Sequence, residues 1–327
     1  MNNLKATPVE IQWHSGLPIY ASAPFLKLLG EQYGWVGGID DAGRLRCVLP
    51  YTVVRKPGFR MIRFRAETVP LEGAIDIAEE KSFLKAAIEY FRSTGADMII
   101  PSGNTAIFRT YPDGAVAAPY GNYVIDLTQP EAVLLRNMDS SHRNNIRKAT
   151  KEGVEIKSGI EYLDICHAII TETLERSDSS FRTYDQFKRM ILALGDNAKI
   201  LVAYHEGVLQ ACMIASFSEY SAYTSYCGSK SKPVRGATQL LHWEAMLQFR
   251  AMGVKRFDFQ GVRINPEKGS KQEGILNFKK NFGGELVSGY LWKYSFHPLK
   301  WAAYSVAVKL LLGGDIVDRE HSKLVSQ

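Results

Sequence analysis

Apolar residues recur at helical spacing in four clear places along the chain. In "KSFLKAAIEYFRSTGA" (81–96), Leu84, Ile88 and Phe91 form one stripe and Gly95 supplies a stop. "EYLDICHAIITETLER" (161–176) puts Leu163, Cys166 and Ile170 on one face, and "TYDQFKRMILALG" (183–195) ends at Gly195. A longer helix runs from about Ala237 to Met252 with Leu240, Trp243, Leu247 and Ala251 in line, and Gly253 closes it. Elsewhere the apolar positions predict strands at 33–40 and 43–55, joined by a hairpin at Asp41-Ala42-Gly43, and at 61–67, 97–103 and 122–127. Further strands are predicted at 153–159, 198–207, 208–219 (after a turn at Glu206-Gly207), 220–229, 254–261 and 284–296.

The second half therefore reads β-α-α-β-β-β-α-β-α-β, the last helix being "GILNFKKNFGG" (274–284). The first half reads strand, strand, strand, helix, strand, strand, a reduced form of the same plan. This predicts an α+β chain of two tandem domains, each a twisted mixed sheet flanked by helices. Residues 1–128 form the first, completed by a C-terminal helix within 297–327, and 129–296 form the second.

Composition narrows the classes. The chain has 327 residues, 46% hydrophobic and 23% charged, which suits two domains with real cores. No apolar stretch reaches the ~18 residues of a spanning helix. The start lacks the apolar core of a signal peptide, and Cys47, Cys166, Cys212 and Cys227 show no paired spacing, so a cytoplasmic protein is expected. The apolar tail "PLKWAAYSVAVKLLLGG" (298–314) reads as a helix docked on the core, with peripheral membrane contact as the alternative. Net charge is +6 and the pI about 9.0. The excess clusters: 142–151 holds Arg143, Arg147, Lys148 and Lys151, 228–236 holds Lys230, Lys232 and Arg235, and 274–284 holds Lys279 and Lys280. Each alone is an ordinary solvated face. Three in one half point to a shared anionic ligand, with no duplex DNA implied.

The motifs of metal sites, nucleophile elbows, phosphate loops and dinucleotide folds are all missing, so no metal and no bound cofactor are expected. The order of elements in the second half resembles that of the GNAT acyltransferase superfamily. A CoA-binding member carries a glycine-rich turn before its long helix, where successive N–H groups hold a pyrophosphate. The turn here is "SKPVRGATQ" (231–239), in which Pro233 lacks an N–H and Gly236 is the one glycine, leaving Arg235-Gly236-Ala237 as a reduced version.

Several segments in sequence order resemble the FemABX aminoacyltransferases, a family built from two GNAT-like domains. They are "RNNIRKA" (143–149), "TLERSDSSFRTYDQF" (173–187), "YTSYCGS" (223–229), "LLHWEAMLQFRAMGVKRFDFQGV" (240–262) and the stretch at 274–284, and the likeness covers about 122–295. No coiled-coil pattern exists for the long helical arm of some members, and Cys227 replaces another residue of the Tyr-rich strand.

The resemblance implies transfer of an amino acid from aminoacyl-tRNA to an amino group of a peptidoglycan or related glycan precursor. By that match Phe278 lines a channel for the charged tRNA end. Lys279 meets phosphate or the developing oxyanion, and Lys280 is its outward neighbour, since adjacent helical residues point ~100° apart. Arg176 and Arg182 are candidates for acceptor phosphates or carboxylates. Tyr226 and Tyr223 are candidates for the acyl carbonyl or the acceptor, against an ordinary role in the sheet. Lys230, Lys232, Arg235 and Gly236 are candidates for the anionic donor. Asp258 is either a general base or a structural carboxylate. Two other readings stay open: an acyl-CoA-dependent N-acyltransferase acting on a sugar nucleotide or polysaccharide precursor, and a non-catalytic binding protein on the same fold.

Overall fold

The computed structural model describes residues 4–325 apart from Glu31, Ser102 and Asp178. The predicted strand at 97–103, the motif at 173–187 and the tail to 327 thus each include residues outside the described set. The first half runs β1 (Lys5–Val9), α1 (Ala23–Leu29), β2 (Gln32–Ile39), β3 (Leu45–Lys56), β4 (Phe59–Phe64), β5 (Val69–Pro70), α2 (Ile77–Ser93), β6 (Met98–Ile99) and β7 (Val116–Asp126). Next come α3 (Glu131–Asn137), α4 (Ser140–Lys151), β8 (Glu155–Ser158), α5 (Leu163–Glu175), α6 (Tyr184–Leu194), β9 (Ala198–His205), β10 (Val208–Phe217) and β11 (Ala222–Ser229). The chain closes with α7 (Ala237–Ala251), β12 (Arg256–Asp258), α8 (Lys271–Lys280), β13 (Glu285–Ser295), α9 (Pro298–Leu312) and α10 (Ile316–Val325). From β8 to β13 the order is the one the hydrophobic pattern predicts. In the first half β1, α1 and the short β5 are additional.

Local chemistry sets the boundaries. α2 opens on a capping box: Asp76 accepts the Glu79 N–H at 2.7 Å and Glu79 accepts the Asp76 N–H at 3.0 Å. It then buries Phe83, Leu84, Ala87, Ile88 and Phe91. β9 and β10 meet at Glu206-Gly207, with φ of 50° and 74°. Both values are positive, as a two-residue hairpin turn matched to strand twist requires.

All strands except β5 lie along one sheet in the order β1-β2-β3-β4-β6-β13-β7-β12-β11-β10-β9-β8. The repeat predicted between the halves is visible in it. Each half lays down four antiparallel strands, crosses over through a helix (α2 or α7) and adds a strand parallel to its fourth, β6 on β4 and β12 on β11. The next strands are exchanged. β7 follows β6 in the chain but pairs with β12 of the other half, while β13 follows β12 and ends on β6 through Tyr294↔Ile99 and Ser295↔Met98. β7 and β13 also pair with each other, from Glu285↔Val124 to Lys293↔Val116. The cores follow the exchange: Trp292 of β13 packs with Phe64, Phe83 and Phe108, and Tyr123 and Ile125 of β7 pack with Trp243, Phe249 and Phe257. A division at residue 128 therefore follows chain order, while β7 belongs by pairing to the sheet of the second half.

The tail returns to the first half. α9 places Trp301 and Tyr304 against Met61, Met98 and Ile100. α10 is held by Lys293, whose buried ammonium meets Asp315 at 2.8 Å and Asp318 at 2.5 Å. The other face of α9 exposes Leu299, Val306, Leu310 and Leu311. Among the described residues no helix is long and apolar enough to cross a membrane.

Candidate active site between splayed strands

β11 and β12 pair only through Ala222↔Phe257 and Tyr223↔Asp258. β11 then continues against β10, with a register shift between Ile214 and Ala215 that leaves Ser225 unmatched. Such a bulge bends its strand away. The chain after β12 turns at Gln260, which has φ of 51°. The two strands thus diverge into a wedge, and α8 lies across it. Ser270 caps α8 by accepting the Glu273 N–H at 3.2 Å. Phe278 and Phe282 of this segment stack on each other and around His142 and His242.

That packing points Lys279 inward and leaves Lys280 exposed. Lys279 Nζ donates to the carbonyls of Gln260 at 2.5 Å and Gly261 at 2.9 Å. An ammonium has three N–H donors, so one is left. Desolvation pulls Lys279 down to about 8, against the opposing pull of Cys227 and Asp258.

The wedge carries three further polar groups. His242 Nδ1 lies 2.8 Å from the Thr238 carbonyl, which can only accept, so Nδ1 carries the proton and Nε2 presents a lone pair. Cys227 Sγ sits 3.9 Å from that Nε2. Burial pushes His242 down to about 4, and desolvation of the thiol pushes Cys227 up to about 12, although the residue as a whole keeps solvent contact. The pair is therefore neutral and lacks the thiolate of a nucleophile. Asp258 is buried, and its oxygens accept the Gln260 N–H at 2.6 Å and the Asn122 side-chain amide at 3.0 Å. Burial pushes it up to about 7, against the Gln260 hydrogen bond and with Glu67 adding to the rise.

The remaining candidates fall in three places. Tyr226 faces α6, with its hydroxyl 3.5 Å from Met190 Sδ and the Arg182 guanidinium 5.6 Å above its ring, whereas Cys227 beside it faces α7. Arg182 also lines a cavity of about 520 Å³ with Leu28, Gln186 and Arg189. Arg176 is spent on structure, reaching Glu172 and the Ser229 carbonyl at 2.6 Å each and so tying α5 to the end of β11. Tyr223 is buried on the same strand. Lys230 and Lys232 are exposed. Arg235 donates to Asn145 of α4 at 2.9 Å. Gly236 caps α7 with φ of 89°, and a Cβ there would sit 2.0 Å from the Asn145 carbonyl oxygen. The turn entering α7 is thus packed beneath α4.

α4 joins the three basic segments. It meets 228–236 through Arg235–Asn145 and 274–284 through His142, whose Nε2 lies 3.1 Å from the Phe278 carbonyl. Its Arg147, Lys148 and Lys151 are exposed. Sequence reasoning passed over Asn122, Glu67, Tyr220, Arg256 and His242. Arg256 stood two residues from Asp258 in "VKRFDFQG", but alternation within a strand was its only signal.

A repeated mixed sheet with exchanged strands, opened by a splayed wedge in which Lys279 is held, has the layout expected of two tandem GNAT-like domains. Residues 110–207 match the model of the FemAB family. The fold superposes on a crystal structure of FemX with a TM-score of 0.66 at 13% identity, covering 91% of this chain and 99% of that one. A conserved protein of unknown function from Bacteroides thetaiotaomicron gives 0.50 at 10% identity, covering 83% and 90%. A tandem GNAT protein from the clavulanic acid biosynthesis pathway gives 0.45 at 14% identity, covering 84% and 87%. No curated protein sequence matches the chain. The chain thus carries a FemAB-like segment at 110–207 and shares its overall fold with FemX.

Proposed function

We propose that the protein is an acyltransferase that moves an aminoacyl group from aminoacyl-tRNA to an amino group of a peptidoglycan or related glycan precursor. One observation carries the reading: the half-buried Lys279 is fixed by two carbonyls with one N–H left, in a segment that α4 ties to the basic turn before α7. A neutral amine attacks the ester carbonyl and a C–N bond forms. The ester C–O bond then breaks, and the tRNA ribose oxygen leaves with a proton. The Lys279 N–H meets the oxyanion that develops between these events. Much of the acceleration comes from holding donor and acceptor together. The cavity at Arg182 and Arg189 suits a phosphate or carboxylate of the precursor, which a guanidinium binds in forked geometry. The donor is made in the cytoplasm, which puts the reaction there.

The packed turn at Gly236 supports tRNA over acyl-CoA as donor. A pyrophosphate needs that backbone free, and α4 occupies the approach. The test is a binding comparison of bulk aminoacyl-tRNA and acetyl-CoA, at two salt concentrations, on wild type and Lys279→Ala. Salt-sensitive tRNA binding, weakened by the substitution, is the expected result. CoA binding alone moves the donor to the thioester class. Binding that ignores Lys279, without any transfer, returns the chain to a non-catalytic role.

A further inference from the structure

We infer that the cavity between the two halves, beside Asp258, is a binding site for a primary ammonium group. The cavity holds about 230 Å³. Glu67, Glu80 and Arg109 line it from the first half, and Asn122, Tyr223 and Asp258 from the second.

Three independent features of its wall ask for the same ligand. Asp258 is only 6% exposed and forms no ion pair among the described residues; neutral amides are its hydrogen-bond donors. A buried carboxylate without a cation is costly and calls for one. Next, the Tyr223 hydroxyl, on a residue 3% exposed, and Asn122 Oδ1 are both buried without a hydrogen-bond partner. The Tyr223 hydroxyl lies among Glu67, Tyr220, Arg256 and Asp258, which places it at the cavity. An amide oxygen can only accept, so the missing partner of Asn122 is a donor. Last, the cations of the wall are already engaged. Arg256 stacks on Tyr220 at 4.1 Å and reaches Glu67 at 3.5 Å, and Arg109 binds Glu80 at 2.7 Å and the Ile75 carbonyl at 2.8 Å.

The wall thus offers acceptors and negative charge in excess. An anion would face Asp258 and Glu67, and an apolar group would leave the Asn122 and Tyr223 oxygens unpaired. An ammonium group supplies three N–H donors and the absent charge. Gln260 links the site to the wedge: Asp258 binds its N–H and Lys279 its carbonyl. This deepens the acyl-transfer reading, and it rests on that reading in one respect: the amine held here is the acceptor. Asp258 then takes the ammonium proton, and the neutral nitrogen attacks the ester beside Lys279.

The experiment titrates the full chain with n-butylammonium and, as its uncharged counterpart, n-butanol, followed by amide NMR shifts. n-Butylammonium should bind saturably and n-butanol should not. Asp258→Asn should weaken the ammonium about tenfold or more, and Tyr223→Phe, which keeps the ring and the fold, about threefold. No saturable binding by wild type, or equal affinity in both variants, overturns the inference. Aminoacyl-tRNA binding on the same samples separates the two readings. tRNA bound without the amine removes only this site, and the amine bound without tRNA removes only the donor assignment.

Discussion

Lys279 and Asp258 grip opposite ends of one residue: Asp258 accepts the Gln260 N–H at 2.6 Å, and Lys279 donates to the Gln260 carbonyl at 2.5 Å. Gln260 is held at φ of 51°, in a region few non-glycine residues visit. The strained turn and the two ionisable groups therefore form one unit at the point where β11 and β12 part.

Lys279 should serve chemistry at the expense of the fold. Its ammonium is desolvated and pulled down to about 8, so a methionine of similar length removes a burial cost as well as two hydrogen bonds. Lys279→Met should leave the melting temperature level or slightly higher. Transfer should fall about 10²–10³-fold, the usual loss of one oxyanion donor. Single-turnover assays set beside melting curves check this. A rate within a few-fold of wild type would mean that Lys279 carries no charge in the transition state.

Asp258 gives stability an unusual pH dependence. Its carboxyl titrates near 7 in the fold, against 3.8 as its ordinary value. Between these values the folded state keeps a proton the unfolded chain has released. The stabilisation is full below about pH 4 and is lost as pH rises to about 7. The shift corresponds to about 4 kcal/mol. Glu67, Arg256 and Lys279 are the charged neighbours, with Tyr20 and Tyr223 also facing it. Asp258→Asn should gain on wild type as pH is raised from 4.5 to 8 in urea unfolding. An equal difference at both pH values would refute the shift.

The legible and illegible parts of this chain divide along physical lines. The inward Lys279 and outward Lys280 were legible because helix geometry alone separates neighbours. The order from β8 to β13 was legible because each element carries its own period. The exchange of β7 and β13 was not, since alternation sets which face of a strand is apolar and says nothing about its neighbour. β1 is five residues with Pro8 inside, and α1 is barely two turns, so neither has a usable period. Arg176 looked like an anion binder because its partner, the Ser229 carbonyl, is remote in sequence. Asn122 was invisible for the opposite reason: a lone amide in a strand gains meaning only when Asp258 is brought to it.

Lys293 tests how the tail is attached. It is 2% exposed, bridges Asp315 and Asp318, and lies 5.0 Å from the Trp301 ring centroid. Removing one partner of a buried ion cluster costs about 3–5 kcal/mol because the other charges stay behind. Lys293→Ala should therefore destabilise by that order and free α10 first. Hydrogen exchange would show protection lost in 316–325 ahead of the sheet. Uniform loss across the chain would mean that α10 is no separate unit.

The basic surface should be readable as a salt slope. Arg147 and Lys151 are exposed on α4 and form no ion pair among the described residues, so both are available to phosphate. Each phosphate contact contributes about 0.7–0.9 to the slope of log K against log salt. Replacing both with glutamine should flatten the slope for aminoacyl-tRNA by about 1.5 and weaken binding most at low salt. Lys309 is the control. It lies on α9, which packs against the first half through Met61 and Met98, remote from α4 in the fold. Lys309→Gln lowers the net charge without touching the proposed path, and its slope should equal that of wild type. Equal flattening by Lys309→Gln would mean that tRNA responds to overall charge, and the surface around α4 would lose its claim as the donor's track.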